Sequence, residues 1–343
     1  MRILLSDTAA ARHGGAIRAA APDAELVPVP AEEGAPLPDT AGVEIAFLSR
    51  DLFVGGTRHR LAPRFLRFVE LVLAAPDLRW VQGFSAGTDL HVYQDMLARG
   101  LLLTSAAGAS APTVAQTAVA GLLALARGFP RIIEAQRRRE WRPLSRDAEP
   151  RDLAGQTALV VGTGPIGQEI GRLCRAFGLR TVGVRRNAAA GAPPGFDEVS
   201  DFAALPEALP RAEWLVLACP LTETTRGLID ARALALLPRG AQVVNVARGG
   251  VAVEADLLAA LESGHLAGAF LDVFTAEPLP PDNPFWNLPN VIVSPHSAAA
   301  SDGLADRVAA VFCENLGRWR RGETLRNLVA YGTGMDVAPA PRP

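Results

Sequence analysis

Three side chains with the chemistry for a carbonyl reduction stand in order along the chain: Arg248, Glu277 and His296. A guanidinium can hold a carboxylate through paired N–H bonds, and an imidazole exchanges protons near neutrality. A carboxylate on the far ring nitrogen fixes the tautomer and favours the imidazolium that must donate. Each residue follows an apolar run with the character of a buried strand: VVNVARGG (243–250), FLDVFTAEPLP (270–280) and NVIVSPHSA (290–298). In open α/β sheets, ligands bind outside the carboxyl ends of the strands, so three such ends can bring these groups to one crevice. His13, His59, His91 and His265 lack that context and are expected to be structural.

The partner in that crevice is indicated upstream. Gly162-Thr163-Gly164-Pro165-Ile166-Gly167 lies between a five-residue β run and an amphipathic helix, which is the setting of a dinucleotide loop. The first glycine permits the tight turn, the second lets backbone approach a pyrophosphate, and the third lets helix pack on strand. The helix N-terminus adds amides and a positive dipole end. After the next strand come Val184-Arg185-Arg186-Asn187, with no Asp or Glu from Thr181 to Phe196. An acid there would bond a ribose 2′-hydroxyl, whereas arginine pairs with a 2′-phosphate. NADP(H) is therefore the expected cofactor, with NAD(H) possible.

The elements needed to hold these residues are visible as alternating runs. Strands are expected at Ile3–Leu5, Val43–Leu48, Leu78–Gln82 and Leu101–Thr104, with helical or loop segments such as Pro63–Ala74 and Leu90–Ala98 between them. A long helix is expected from about Thr113, with Pro112 in its first turn and an apolar surface nearly all round. The next stretch, RIIEAQRRREW, is amphipathic, and Arg137, Arg138 and Arg139 fit a solvated face. A second series follows at Thr157–Val161, Leu179–Val184, Trp214–Ala218, Gln242–Val246, Gly268–Val273 and Val291–Ser294. The helical segment at about 302–319 falls outside that series and is expected to return to the first domain. The organisation is thus α/β, with two doubly wound parallel-sheet domains, flavodoxin-like and Rossmann-like, and a cleft between them. A discontinuous substrate-binding domain would span 1–108 plus 297–343, and an NAD(P)-binding domain 109–296. The last residues, GTGMDVAPAPRP, are expected to form a loose tail.

Bulk composition excludes several classes. The 343 residues are 49% hydrophobic and 20% charged, with a net charge of −2, so no attraction to nucleic acid or anionic lipid is expected from bulk charge. All 34 basic residues are arginine, which removes Schiff-base lysine chemistry and a Walker lysine. Three cysteines without metal-ligand spacing suggest a reducing, cytoplasmic home and no metal site. The start, MRILLSDTAA, suits a first strand rather than a signal peptide, and no apolar run approaches the ~18–20 residues of a spanning helix.

At these residues the chain resembles the D-isomer-specific 2-hydroxyacid dehydrogenases, especially their glyoxylate/hydroxypyruvate reductase branch. The matching stretches are SAGTD (85–89), GTGPIG, CPLTETTRGLI (219–229), NVARGG, LLAALESGHLAGAFLDVFTAEPLP (257–280) and PHSA. The resemblance implies that Arg248, Glu277 and His296 are catalytic and that Ser85, Ala86 and Gly87 bind the substrate carboxylate together with Arg248 and His296. It implies that Cys219, Pro220, Thr225, Ala247 and Asp272 line the cofactor, with Asp272 near the nicotinamide carboxamide, and that the protein is a homodimer. The implied reaction is reduction of a short 2-keto acid to a D-2-hydroxy acid. A family enzyme for a bulkier acid, or a nucleotide-sensing protein like the related corepressors, would keep the same three residues. Formate-oxidising relatives carry glutamine where this chain has Glu277. The chain also ends without the regulatory domain common in phosphoglycerate dehydrogenases, which points away from serine biosynthesis. It departs from the family pattern at Gln116, usually glutamate, at Val253, commonly an acid, and at Phe270, usually small. Gln116 and Phe270 bear on helix packing and the hinge.

Overall fold

The computed structural model describes residues 1–32, 34–56, 60–144, 149–189 and 191–329; His59 and the expected tail lie outside them. The chain forms two compact units, Met1–Ser110 with Ser301–Pro343, and Ala111–Ala300. The divisions fall slightly later than the sequence suggested, for two reasons. The first helix of the second unit begins at Ala111, and the loop after His296 stays bonded to the second unit through Asp272.

The first unit opens with β1 (Arg2–Ser6), whose last residue caps α1 (Asp7–Ala20) by accepting from the Ala9 amide at 3.0 Å. There follow β2 (Glu25–Val29), β3 (Val43–Phe47), α2 (Pro63–Ala74), β4 (Trp80–Gln82), α3 (His91–Ala98) and β5 (Leu102–Thr104). The chain later returns to this unit as α10 (Leu304–Arg320) and a two-residue β13 (Leu328–Val329). Strand order is β13-β5-β4-β3-β1-β2, parallel except for β13, which pairs antiparallel with β5. Phe312 of α10 stacks on Phe47 of β3 with ring centroids 4.5 Å apart, and Arg12 of α1 pairs bidentately with Asp306. These contacts hold the returning helix to this sheet although about 200 residues of sequence intervene.

The second unit carries α4 (Ala111–Ala126), α5 (Phe129–Arg137), β6 (Thr157–Val161), α6 (Pro165–Ala176), β7 (Arg180–Arg185) and β8 (Glu198–Asp201). It continues through α7 (Leu205–Ala208), β9 (Trp214–Leu217), α8 (Ala231–Leu236), β10 (Ala241–Asn245), α9 (Glu254–Glu262), β11 (Leu266–Leu271) and β12 (Val291–Val293). The sheet is fully parallel in the order β12-β11-β10-β9-β6-β7-β8. Alternation sends Leu159, Val161, Leu215, Leu217 and Val243 into one core and Ala158, Val160, Trp214, Val216 and Val244 into the other. Burial on both faces explains why these strands appear in sequence as unbroken apolar runs.

Helix α4 covers the second of those faces, and its oddest neighbour is Phe270 of β11. A Cβ on Gly121 would stand 2.3 Å from Phe270 Cγ, so the missing side chain on the helix makes room for a large one on the strand. Phe270 is 6% exposed. Gln116 is exposed on α4 and does not enter this packing. On helix α5 only Ala135 is buried, while Phe129, Ile132 and Ile133 are 48%, 41% and 42% exposed. Its apolar face is thus outward in the single chain, beside exposed Arg137, Arg138 and Arg139.

The Gly121–Phe270 fit sets a stability prediction. Phe270→Ala should cost about 3–5 kcal/mol by leaving a cavity, and Gly121→Ala about 1–3 kcal/mol by overpacking. Denaturant midpoints at constant m-value check both.

Candidate active site

Strand β10 ends at Asn245, a buried residue that shapes the turn into Arg248. Its Oδ1 accepts from the Ala247 amide at 3.0 Å and its Nδ2 donates to the Arg248 carbonyl at 3.2 Å. Arg248 is half-buried and donates from Nη1 to the Ala247 carbonyl at 2.7 Å. The next residue, Gly249, lies against the peptide joining Phe274 to Thr275, where any Cβ would collide with backbone. The Arg248 turn and the segment that leads to Glu277 are therefore in direct backbone contact.

Glu277 is fixed at both oxygens. Oε1 accepts from the Phe274 amide at 3.0 Å, and Oε2 meets His296 Nδ1 at 2.8 Å. With Nδ1 facing a carboxylate, the other ring nitrogen, Nε2, is the one left to exchange a proton with a ligand. His296 sits at φ 52°, a left-handed backbone that costs a residue with a side chain roughly 1–2 kcal/mol. The loop that enforces it hangs from Asp272, which is 1% exposed. The Asp272 carbonyl accepts from the His296 amide at 2.8 Å. Its Oδ1 accepts from Ser294 Oγ at 2.5 Å and the Ser297 amide at 2.8 Å, and its Oδ2 from the Ala298 amide at 3.1 Å. Asn245, Gly249, Ser294 and this loop-anchoring use of Asp272 were not drawn from the sequence. The backbone bonds of Asn245 and the crowding at Gly249 depend on where two distant loops meet.

The dinucleotide loop has the geometry its glycines require. Gly162 adopts φ 104°, and a Cβ on it would stand 2.7 Å from the Cys219 backbone nitrogen. A Cβ on Gly167 would strike the Gly162 carbonyl, so helix and turn close only because it is absent. Gly164 has open space around it, as a residue beside a pyrophosphate needs, and caps α6 ahead of Pro165. Ile166 is half-buried in the first turn of that helix. These residues fit a dinucleotide. Arg185 ends β7 half-buried, and Arg186 follows exposed; neither pairs with a carboxylate among the described residues.

Cys219 and Ala247 are buried at the ends of β9 and β10, and Pro220 is exposed. Burial pushes the Cys219 thiol up to about 11, so it stays protonated at neutral pH. Thr225 is buried with its hydroxyl donating to the Pro220 carbonyl at 2.6 Å and accepting from the Thr222 amide at 2.8 Å, which closes the 219–225 turn. In the first unit, Ser85 Oγ donates to the Gly87 carbonyl at 2.7 Å, beside an exposed Ala86. Burial pushes the neighbouring Tyr93 up to about 12. Arg50 is half-buried after β3, and desolvation lowers its pKa.

The family model for the D-isomer specific 2-hydroxyacid dehydrogenase NAD binding domain matches residues 119–298, just over half of the chain. The chain belongs to the D-isomer-specific 2-hydroxyacid dehydrogenases. Among similar proteins is a glyoxylate reductase of Korarchaeum cryptofilum, 35% identical over 272 residues, which are 76% of this chain and 78% of the relative. A D-3-phosphoglycerate dehydrogenase of Mycobacterium bovis is 34% identical over 275 residues, 79% of this chain. The match covers 51% of that relative, so the chain spans about half its length. The crystal structure of an NADPH-dependent glyoxylate/hydroxypyruvate reductase from Sinorhizobium meliloti, in complex with NADP and sulfate, is 29% identical with a TM-score of 0.74. That likeness covers 96% of this chain and 98% of that one. The second unit of this dehydrogenase is accordingly a binding domain for a nicotinamide dinucleotide, and no described helix is long and apolar enough to cross a membrane.

Gly249→Ala tests the backbone contact. Displacing one loop by even about 1 Å should lower kcat about 100-fold while dinucleotide affinity, read by fluorescence titration, holds. Wild-type turnover would show that the loops can part without loss.

Proposed function

We propose that this dehydrogenase reduces short 2-keto acids of the glyoxylate or hydroxypyruvate type to D-2-hydroxy acids with NADPH. The observation that carries the reading is the 2.8 Å pairing of Glu277 Oε2 with His296 Nδ1. Bound nicotinamide would supply the hydride. His296 would donate the proton to the carbonyl oxygen from Nε2, with Glu277 holding the ring and favouring its charged form. Arg248 would clamp the substrate carboxylate and polarise the carbonyl. Amides around Ser85, Ala86 and Gly87 would make the first unit substrate-binding by taking a carboxylate. Gly162, Gly164, Pro165, Ile166 and Gly167 would cradle the pyrophosphate, with Cys219, Pro220, Thr225, Ala247 and Asp272 near the cofactor.

The preference for NADPH rests on Arg185 and Arg186 and on the missing acid between Thr181 and Phe196. The named activities of the Korarchaeum and Sinorhizobium proteins support both substrate and cofactor. A phosphorylated or otherwise bulkier 2-hydroxy acid is the second reading, favoured by the phosphoglycerate dehydrogenase relative. The outward apolar residues Phe129, Ile132 and Ile133 support a homodimer, and the three free cysteines a cytoplasmic setting.

One absorbance assay at the NADPH band, run over a keto-acid panel with each nucleotide, tests the proposal. Glyoxylate or hydroxypyruvate with NADPH should give the highest kcat/KM, and Arg185→Ala with Arg186→Ala should reduce the NADPH preference about tenfold or more. A clear NADH preference would sink the cofactor assignment. His296→Ala should lower kcat by roughly 100- to 10,000-fold with nucleotide binding intact. Unchanged turnover there would refute the proton-donor role, and a monomeric mass by light scattering would refute the dimer.

A further inference from the structure

Helix α9 begins with three acidic or apolar choices whose uses differ. Val253 occupies the N-cap position and makes no side-chain cap bond. Asp256 turns away to accept the Ala231 amide at 2.8 Å. Glu254, half-buried in the first turn, reaches off its own helix and accepts the Thr275 amide with Oε1 at 2.5 Å. The adjacent amide, on Phe274, is the one that holds Glu277 Oε1. Two consecutive amides are therefore gripped by two carboxylates, one from α9 and one from the segment's own Glu277. The same 274–275 peptide is also pressed by Gly249.

We propose that Glu254 is a positioning residue for the reaction, setting the 274–275 peptide so that Glu277 presents Oε2 to His296. The inference rests on the proposed roles of Glu277 and His296 and adds a residue that touches neither. A peptide plane with one face blocked by Gly249 can still rotate about its flanking bonds. The Phe274 N–H belongs to the adjoining 273–274 peptide, and the shift of the Phe274 Cα that accompanies such a rotation would carry that amide from Glu277 Oε1 and free the carboxylate to turn from the imidazole. The Glu254 bond, charge-assisted and short, opposes it. What the position requires is a carboxyl-type oxygen at that reach, so glutamine, which keeps an acceptor Oε1, should serve where alanine or the shorter aspartate should not.

The test uses the full chain with NADPH and glyoxylate. Glu254→Ala and Glu254→Asp should lower kcat about tenfold with the KM for NADPH within about twofold, and Glu254→Gln should restore kcat to within about twofold of wild type. The double variant of Glu254→Ala with Glu277→Gln should turn over no more slowly than Glu277→Gln alone, since the residue acts through Glu277. Wild-type kcat in both the alanine and aspartate variants, a glutamine variant as impaired as alanine, or full additivity in the double variant would each overturn the proposal. If the alanine variant fails to fold, the aspartate and glutamine pair carries the comparison. Failure of the underlying reading looks different: Glu277→Gln would itself keep wild-type kcat, and both claims would fall together.

Discussion

The contact between Gly249 and the peptide joining Phe274 to Thr275 is the constraint on which the site depends. It is a steric fact before it is a chemical one. Two loops leave neighbouring strands, β10 and β11, whose own spacing is fixed by backbone hydrogen bonds. Those loops can approach to backbone contact only where a side chain is missing. Once they do, the guanidinium-bearing turn and the carboxylate-bearing segment share one rigid reference. The imidazole joins through a third strand end, tied by Asp272 from within the same sheet. Each polar group is thus located first by backbone, and side-chain bonds such as those at both oxygens of Glu277 then aim it.

This arrangement suits a family that works by orientation and electrostatics. On the proposed reading, hydride transfer belongs to the nicotinamide, and the protein's part would be to hold a carboxylate, a carbonyl and a proton donor in a fixed relation. Rigid strand ends do this better than long loops. The left-handed backbone at His296 fits the same logic, since local strain is held by the buried Asp272 network and the imidazole is delivered outward from a packed base.

Much of this was legible from residues alone, because the decisive strands are buried on both faces and write themselves as apolar runs. β6, β9, β10 and β11 were all visible for that reason. What escaped lies at sheet edges. β2 contains Pro28 and borders only β1, β8 is the half-exposed Glu198–Asp201, and β13 is two residues long. Edge strands carry weak patterns because one side has no partner to satisfy. In the site, the three polar residues and the glycine loop could be named from spacing. The supporting bonds of Asn245, Glu254, Asp272 and Ser294 could not, since they join segments far apart in sequence. Phe270 illustrates the same limit: it looked out of place until Gly121 was seen opposite.

The absence of lysine has a consequence for how this protein meets alkaline solution. Ordinary proteins lose ammonium charge as pH rises toward the lysine range, and thiols and phenols add negative charge at the same time. Here every basic side chain apart from the histidines is a guanidinium. Burial holds the Cys174 thiol and Tyr93 back to about 12 and the Cys219 thiol to about 11. Burial also raises the Cys313 thiol, and Tyr331 is the one other phenol in the sequence. With no ammonium side chain to lose, the molecule should shed less positive charge than a lysine-bearing protein as the solution turns alkaline, so pH dependence measured there will carry less of the scaffold's own titration.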